Sequence, residues 1–298
     1  MTFAARPTQL HQDGWTARKR QVAIPGGSAA FVEVDGAEPA FVLVHGFTDT
    51  SRSYSLLAPH MAGRRLLIPD LRGHGTSFGS EPSDLSDYAA DLFALCRSLD
   101  LQRPIIVGHS LGGMIAIQAC LEQPTFFGGL AVLASSLKPK IGDDHPITTG
   151  VSNLSDPIRP DDPFYAYWHH CGHAVPASFL RKVAEEASKM PASRWRAILD
   201  MIRRIDLREQ APRLASVDTL LVSGSEDQLF DACDQTMFAS ALPHAERLEL
   251  SGYGHNLHWE EPASVAAAIL ARFPLIEAQP EQYPMEIEYG GETLPLIA

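Results

Sequence analysis

Residues 103–120 read RPIIVGHSLGGMIAIQAC, and the fold turns on how this stretch divides. Pro104 to Gly108 is a short apolar run rich in β-branched residues, which marks a buried strand. Leu111 to Cys120 is small and apolar with no breaker after Gly113, which marks a helix packed on that strand. Between them Gly108-His109-Ser110-Leu111-Gly112 matches G-x-S-x-G. A turn from strand straight into helix forces Ser110 into strained backbone, and the flanking glycines let neighbouring elements approach. The Ser110 hydroxyl then stands at the carboxyl end of a sheet, above a helix N-terminus. The rival reading is a serine that merely caps the helix.

Outward from this stretch, strands and helices alternate. Gln21 to Ile24 and Ala29 to Val34 flank Pro25-Gly26-Gly27-Ser28, which is hairpin chemistry. Ala40 to Val44 is an apolar strand running into His45-Gly46-Phe47-Thr48, followed by a short helix over Ser51 to Ala62 with Ser51 as its cap. Arg65 to Ile68 is the next strand and ends in Pro69-Asp70-Leu71-Arg72-Gly73-His74-Gly75. Over Leu85 to Leu99, a helical stripe holds Tyr88, Leu92, Leu95, Cys96 and Leu99. Leu130 to Leu133 is a further buried strand. Such alternation with short loops predicts a parallel sheet covered on both faces, because parallel strands need helical crossovers. Ligands of such sheets sit beyond the carboxyl ends of the strands. His45-Gly46-Phe47, Asp70 and Ser110 all fall at those ends.

The alternation stops after Ser136. Residues 137–216 show no clear strand; prolines at 139, 146, 157, 160 and 163 punctuate an irregular stretch up to about Tyr165, and Ala177 to Met190 and Ser193 to Ile205 read as helices. An insertion there predicts a cap over the sheet edge. The sheet resumes at Thr219 to Val222, leading into Ser223-Gly224-Ser225-Glu226-Asp227. A helix over Leu229 to Leu242, a strand over Glu246 to Leu250 and a helix over Ala263 to Phe273 follow. Residues 1–16 read as a loosely held lead-in. The tail from Pro274 is acidic and interrupted by proline; Met285 to Tyr289 reads equally as an edge strand or as disorder.

Composition narrows the function classes. The chain has 298 residues, enough for one large domain or a core with an insertion. Net charge is −12 with no dense basic run, which argues against a nucleic-acid partner. No apolar run reaches the roughly 18–20 residues of a membrane span, and no signal-peptide core stands in the first fifteen residues. Cys96, Cys120, Cys171 and Cys233 are far apart and read as reduced thiols. A cytoplasmic protein is the expectation, with a small-molecule partner; a homo-oligomer stays open.

A serine hydroxyl is a poor nucleophile at neutral pH and needs a base, which in turn needs a group to hold it. His255, in Ser251-Gly252-Tyr253-Gly254-His255-Asn256, lies just past the last strand and suits the base. Asp227 follows the preceding strand and suits the carboxylate; Glu226 is its main rival, with Asp206 and Asp218 behind. The order Ser, Asp, His along the chain fits a nucleophile on this kind of turn. Oxyanion donors are worth roughly 3–4 kcal/mol each. The Leu111 N–H is one candidate, and the Phe47 N–H, in the loop after Ala40 to Val44, is the second.

HGF at 45–47, DLRGHG at 70–75, GHSLGG at 108–113, GSED at 224–227 and GHNLHWEEP at 254–262 together resemble the α/β-hydrolase superfamily over about residues 20–275. The resemblance implies an α/β fold: a mostly parallel eight-stranded sheet, helices on both faces and an inserted helical cap. It divides the chain into core residues 17–136, a cap at 137–216, core residues 217–275 and a tail at 276–298. It implies Ser110, Asp227 and His255 as triad, Phe47 and Leu111 as oxyanion donors, and no metal or organic cofactor. Members that cleave epoxides or carbon–halogen bonds carry Asp at the turn, so Ser110 argues against both. Gly46-Phe47-Thr48-Asp49 lacks the glycine- and proline-rich loop usual in carbon–carbon-bond hydrolases.

Other polar residues read as scaffold: His45 and His109 beside the site, and Asp70, Arg72 and His74 bracing their loop. His169-His170-Cys171-Gly172-His173 invites a metal, but no second cluster accompanies it. It reads instead as a polar segment beside Phe164, Tyr165, Tyr167 and Trp168, of which Trp168 is the first choice to line the site. The leading expectation is a hydrolase of small, fairly apolar carboxylic esters or lactones. Carbon–carbon hydrolysis or a cofactor-free perhydrolase or haloperoxidase activity on the same triad is the second. A hydrolase-fold small-ligand sensor is the third.

Overall fold

In the computed structural model, residues 12–275, 286–289 and 292–295 are described. The expectations for residues 1–11, and those for the tail outside its two short strands, lie beyond the described residues. The main sheet contains β1 (Arg20–Ile24), β2 (Gly27–Val34), β3 (Ala37–Val44), β4 (Arg64–Pro69), β5 (Phe78–Gly79), β6 (Ile105–His109), β7 (Gly129–Leu133), β8 (Thr219–Gly224) and β9 (Glu246–Leu250). Eight of them run in the order β1-β2-β4-β3-β6-β7-β8-β9, and the two-residue β5 pairs with β2. Pairings from β4 through β3, β6, β7 and β8 to β9 are parallel, and those of β2 are antiparallel. Gly108 is in register with Val44 on one side and Val132 on the other, at the centre of the sheet.

Both faces are buried, as parallel strands require. On one face, α1 (Leu85–Ser98) and α2 (Leu111–Glu122) pack through Leu92, Leu95, Met114 and Ile117. On the other, Tyr54, Leu57 and Met61 join Val265 and Ile269 of α9 (Pro262–Arg272) beneath Phe41, Leu43 and Val107. Trp15, expected in a loosely held lead-in, is fully buried in this second layer and its Nε1 donates to Ser51 Oγ at 3.2 Å. The expected helix over 51–62 is instead two 3-10 turns, Ser51–Tyr54 and Ala58–Met61, the first capped by Thr50 rather than Ser51.

Between β7 and β8 the chain inserts α3 (Pro146–Asn153), α4 (Phe164–Trp168), α5 (Ala177–Ala187) and α6 (Ala192–Ile202). The stretch before Tyr165, read as irregular, therefore holds α3 and the start of α4. A buried ion pair ties the insertion to the loop after β3: Arg52 Nε and Nη2 donate to Glu186 Oε1 of α5 at 2.9 and 2.6 Å. Thr50 Oγ1 donates to the other oxygen of Glu186. Burial works to raise the Glu186 carboxyl, but these donors and Lys19 leave it below its usual range. After β8 come α7 (Ala232–Ala241) and, past β9, α8 (Leu257–Glu260). The tail strands β10 (Glu286–Tyr289) and β11 (Glu292–Pro295) pair with each other, not with the main sheet. Among the described residues no helix is long and apolar enough to cross a membrane.

Candidate active site

Ser110 sits between β6 and α2 with φ +54° and ψ −119°, outside the regions a side chain favours. The turn is over-determined. A Cβ at Gly108 would meet the Gly112 carbonyl oxygen at 2.1 Å, and one at Gly112 would meet the Val44 carbonyl oxygen at 2.1 Å. Ser110 N–H donates to the Leu133 carbonyl at 3.0 Å, and Ser135 Oγ donates to the Ser110 carbonyl at 2.7 Å. The Ser110 side chain makes no helix-cap bond, which removes the rival reading of a mere cap. Its Oγ lies 3.0 Å from His255 Nε2.

His255 follows β9, and its Nδ1 lies 2.9 Å from Asp227 Oδ2. Asp227 ends the loop after β8, and its other oxygen accepts from the N–H groups of Leu229 and Phe230 at 2.9 and 3.0 Å. Burial works to raise the Asp227 carboxyl. The His255 charge and hydrogen bond, with the Phe230 and Leu229 N–H groups, hold it below the ordinary carboxylate range. The predicted trio thus comes together from the ends of β6, β8 and β9. The rival carboxylates do not reach it: Glu226 is exposed, Asp206 pairs with Lys138 and Arg208, and Asp218 pairs with Arg272. Neither Phe47 N–H nor Leu111 N–H has a hydrogen-bond partner among the described residues.

The neighbouring histidines brace this arrangement. His45 Nδ1 donates to the Gly46 carbonyl at 2.8 Å and its Nε2 accepts from Leu71 N–H at 2.9 Å, which fixes the tautomer. His109 Nε2 donates to the His255 carbonyl at 3.0 Å. Burial pushes His109 down to about 3 and His45 well below the usual imidazole range, so both stay neutral. Asp70 accepts from Ser51 N–H at 2.9 Å, Thr76 N–H at 2.9 Å and Lys19 Nζ at 2.7 Å, pinning two loops.

Two cavities meet here. The inner one, about 10 Å³, is lined by Ser110, His255, Phe47, Trp168, His169 and Trp259 among others. The outer one, about 300 Å³, shares Trp168, His255 and Asn256 and adds Tyr167, Glu226 and Glu260. Neither wall contains Lys or Arg. Trp168 Nε1 donates to Thr48 Oγ1 at 2.9 Å, and its ring meets Phe47 edge-on at 5.8 Å.

Two lining residues escaped the sequence reading. Asp49 was seen only as part of its loop. It is buried, accepts from Ser53 Oγ at 2.9 Å, and burial raises it to about 7. His169 belonged to the segment weighed as a metal motif. Its histidines diverge: His169 turns inward, while His173 stacks on Tyr253 at 4.3 Å. Among the described residues no three His, Cys, Asp or Glu side chains gather to hold a metal.

A family model described as alpha/beta hydrolase family matches residues 41–268. The chain belongs to the alpha/beta hydrolase family. A pimeloyl-[acyl-carrier protein] methyl ester esterase of Xanthomonas axonopodis pv. citri (strain 306) is 30% identical to this hydrolase over 237 residues, 75% of this chain and 90% of that protein. The enol-lactonase from Burkholderia xenovorans LB400 superposes with a TM-score of 0.72 at 17% identity, covering 85% of this hydrolase and 99% of that chain. A bromoperoxidase from Bacillus anthracis gives the same TM-score at 20% identity, over 85% and 99% of the two chains. At those identities the structural matches speak to the fold alone.

Proposed function

We propose that this hydrolase cleaves small, uncharged carboxylic esters or lactones through an acyl-enzyme on Ser110. The observation that carries the reading is the unbroken chain of contacts, 3.0 Å from Ser110 Oγ to His255 Nε2 and 2.9 Å from His255 Nδ1 to Asp227 Oδ2. Ser110 Oγ attacks the carbonyl carbon while His255 Nε2 takes its proton. Asp227 holds the tautomer with Nδ1–H and steadies the imidazolium that forms. The Phe47 and Leu111 N–H groups receive the oxyanion, which suits their lack of other partners. His255 then protonates the departing alkoxide. Water, deprotonated by the same imidazole, attacks the acyl-enzyme and releases acid and free serine.

The cavities favour substrate without negative charge. Glu226 and Glu260 line the outer one, and no Lys or Arg in its wall offsets them. A free carboxylate on either part of the substrate would meet repulsion there. The test is turnover of a neutral short-chain ester by wild type and Ser110→Ala. The reading expects hydrolysis by the wild type and its loss in the variant; full turnover by Ser110→Ala would overturn it.

A further inference from the structure

His169 follows α4, its N–H bonded to the Tyr165 carbonyl at 2.9 Å, and it lines the inner cavity together with Ser110. The side chain is 6% exposed, yet neither Nδ1 nor Nε2 has a hydrogen-bond partner among the described residues. It differs in this from every other polar side chain in that wall. Ser110 and His255 bond each other. Asp49 and Trp259 share Ser53, Trp168 has Thr48, Asn256 has the His170 carbonyl and His109 the His255 carbonyl. An imidazole taken out of water with both nitrogens unpaired is costly to keep, and native interiors rarely hold one without a use for it.

The surroundings say what it would bind. Burial pushes His169 to about 3, so the ring is neutral and offers one N–H and one lone pair. Tyr165 lies against it at 5.0 Å and Trp259 meets it edge-on at 5.7 Å. With no Lys or Arg in the wall, a carboxylate would find no counter-charge. A neutral oxygen is the matching partner. During turnover the alcohol must leave while the acyl group stays on Ser110. Ser110 and His169 both line the inner cavity, so the acyl part lies on that side once the wall gives way beyond its volume of about 10 Å³, and the larger outer cavity suits the departing alcohol.

We propose that His169 is a specificity-determining residue that hydrogen-bonds a second, uncharged oxygen on the acyl part of the substrate, so that short hydroxy-, keto- or alkoxy-acyl esters and the matching lactones are preferred. This rests on the acyl-enzyme reading of Ser110. The two ideas fail in different ways.

The experiment compares kcat/KM for an aryl methoxyacetate and the aryl butyrate of equal length, which differ by one oxygen for one methylene. The methoxyacetate-to-butyrate ratio is measured in wild type, His169→Phe and His169→Gln. The intrinsic reactivities of the two esters cancel when this ratio is compared between proteins. The ratio should fall about tenfold or more in His169→Phe, because a site built around a hydrogen bond discriminates against the substrate lacking its partner and loses that preference when the bond is removed. His169→Gln, which keeps a donor and an acceptor, should restore most of it. If His169→Phe slows both esters equally, or Gln leaves the ratio as low as Phe does, the residue acts through shape and the proposal is wrong, while the Ser110 reading stands. If wild type hydrolyses neither ester and Ser110 resists a fluorophosphonate, both fall together.

Discussion

The two sides of the cavity are built differently. On the sheet side, each member of the proposed triad is held by several bonds at once: Asp227 accepts three, and Ser110 is locked by backbone bonds and by glycines that admit no Cβ. On the insertion side Trp168 and His169 line the cavity, Phe164 and Trp195 pack behind them around Phe47 and Trp168, and neither His169 nitrogen has a partner among the described residues. On the proposed reading, the difference separates two tasks. Groups that move protons must be held within tenths of an ångström, whereas a recognition wall keeps spare bonding capacity for its ligand.

That division can be broken by substitution on either side. Ser110→Ala should lower kcat by ~10⁶-fold, and Asp227→Asn by ~10⁴-fold with little change in KM, since only transition-state stabilisation is removed. Steady-state kinetics on one neutral ester reads both. Trp168→Ala, on the other side, should raise KM by about tenfold and alter kcat less, because it strips packing from substrate and transition state alike. A Trp168→Ala loss as deep as that of Asp227→Asn would erase the distinction.

Two stability effects sharpen it. Asp49 has a pKa of about 7 in the folded protein against an ordinary value of 3.8. Between those values the folded state binds more protons than the unfolded chain, so this group makes stability fall as pH rises from about 4 to about 7, and level off above. Asp49→Asn should remove that slope, gaining as much as about 4 kcal/mol over wild type at neutral pH. Denaturant unfolding at several pH values measures the difference. Glu186→Gln should cost about 3 kcal/mol by leaving Arg52 buried without its counter-charge, and the same titration reads it.

The sheet side was readable because its signals are local. Four apolar runs and the alternating strand Glu246–Leu250 led into polar motifs, and the glycines around Ser110 announced a turn that only close backbone approach explains. The insertion was less readable for a physical reason. Its prolines up to Pro163 read as breakers, yet Pro146 is the first residue of α3 and Pro163 immediately precedes α4. Proline is tolerated in a helix's first turn, where no N–H partner is lost. Likewise α7 starts at Ala232 and not Leu229, because Asp227 takes the N–H groups of Leu229 and Phe230 and Asp231 caps the helix. No sequence pattern marks His169 or Asp49, since a missing partner and a raised carboxyl exist only once remote segments have packed.

Peptide mapping by mass spectrometry after fluorophosphonate treatment tests the central claim most directly. A single adduct on Ser110 in the wild type, absent from His255→Ala with the fold intact, is the predicted result. An adduct elsewhere, or equal labelling of Ser110 without His255, would mean that this hydroxyl is not sharpened by the imidazole beside it.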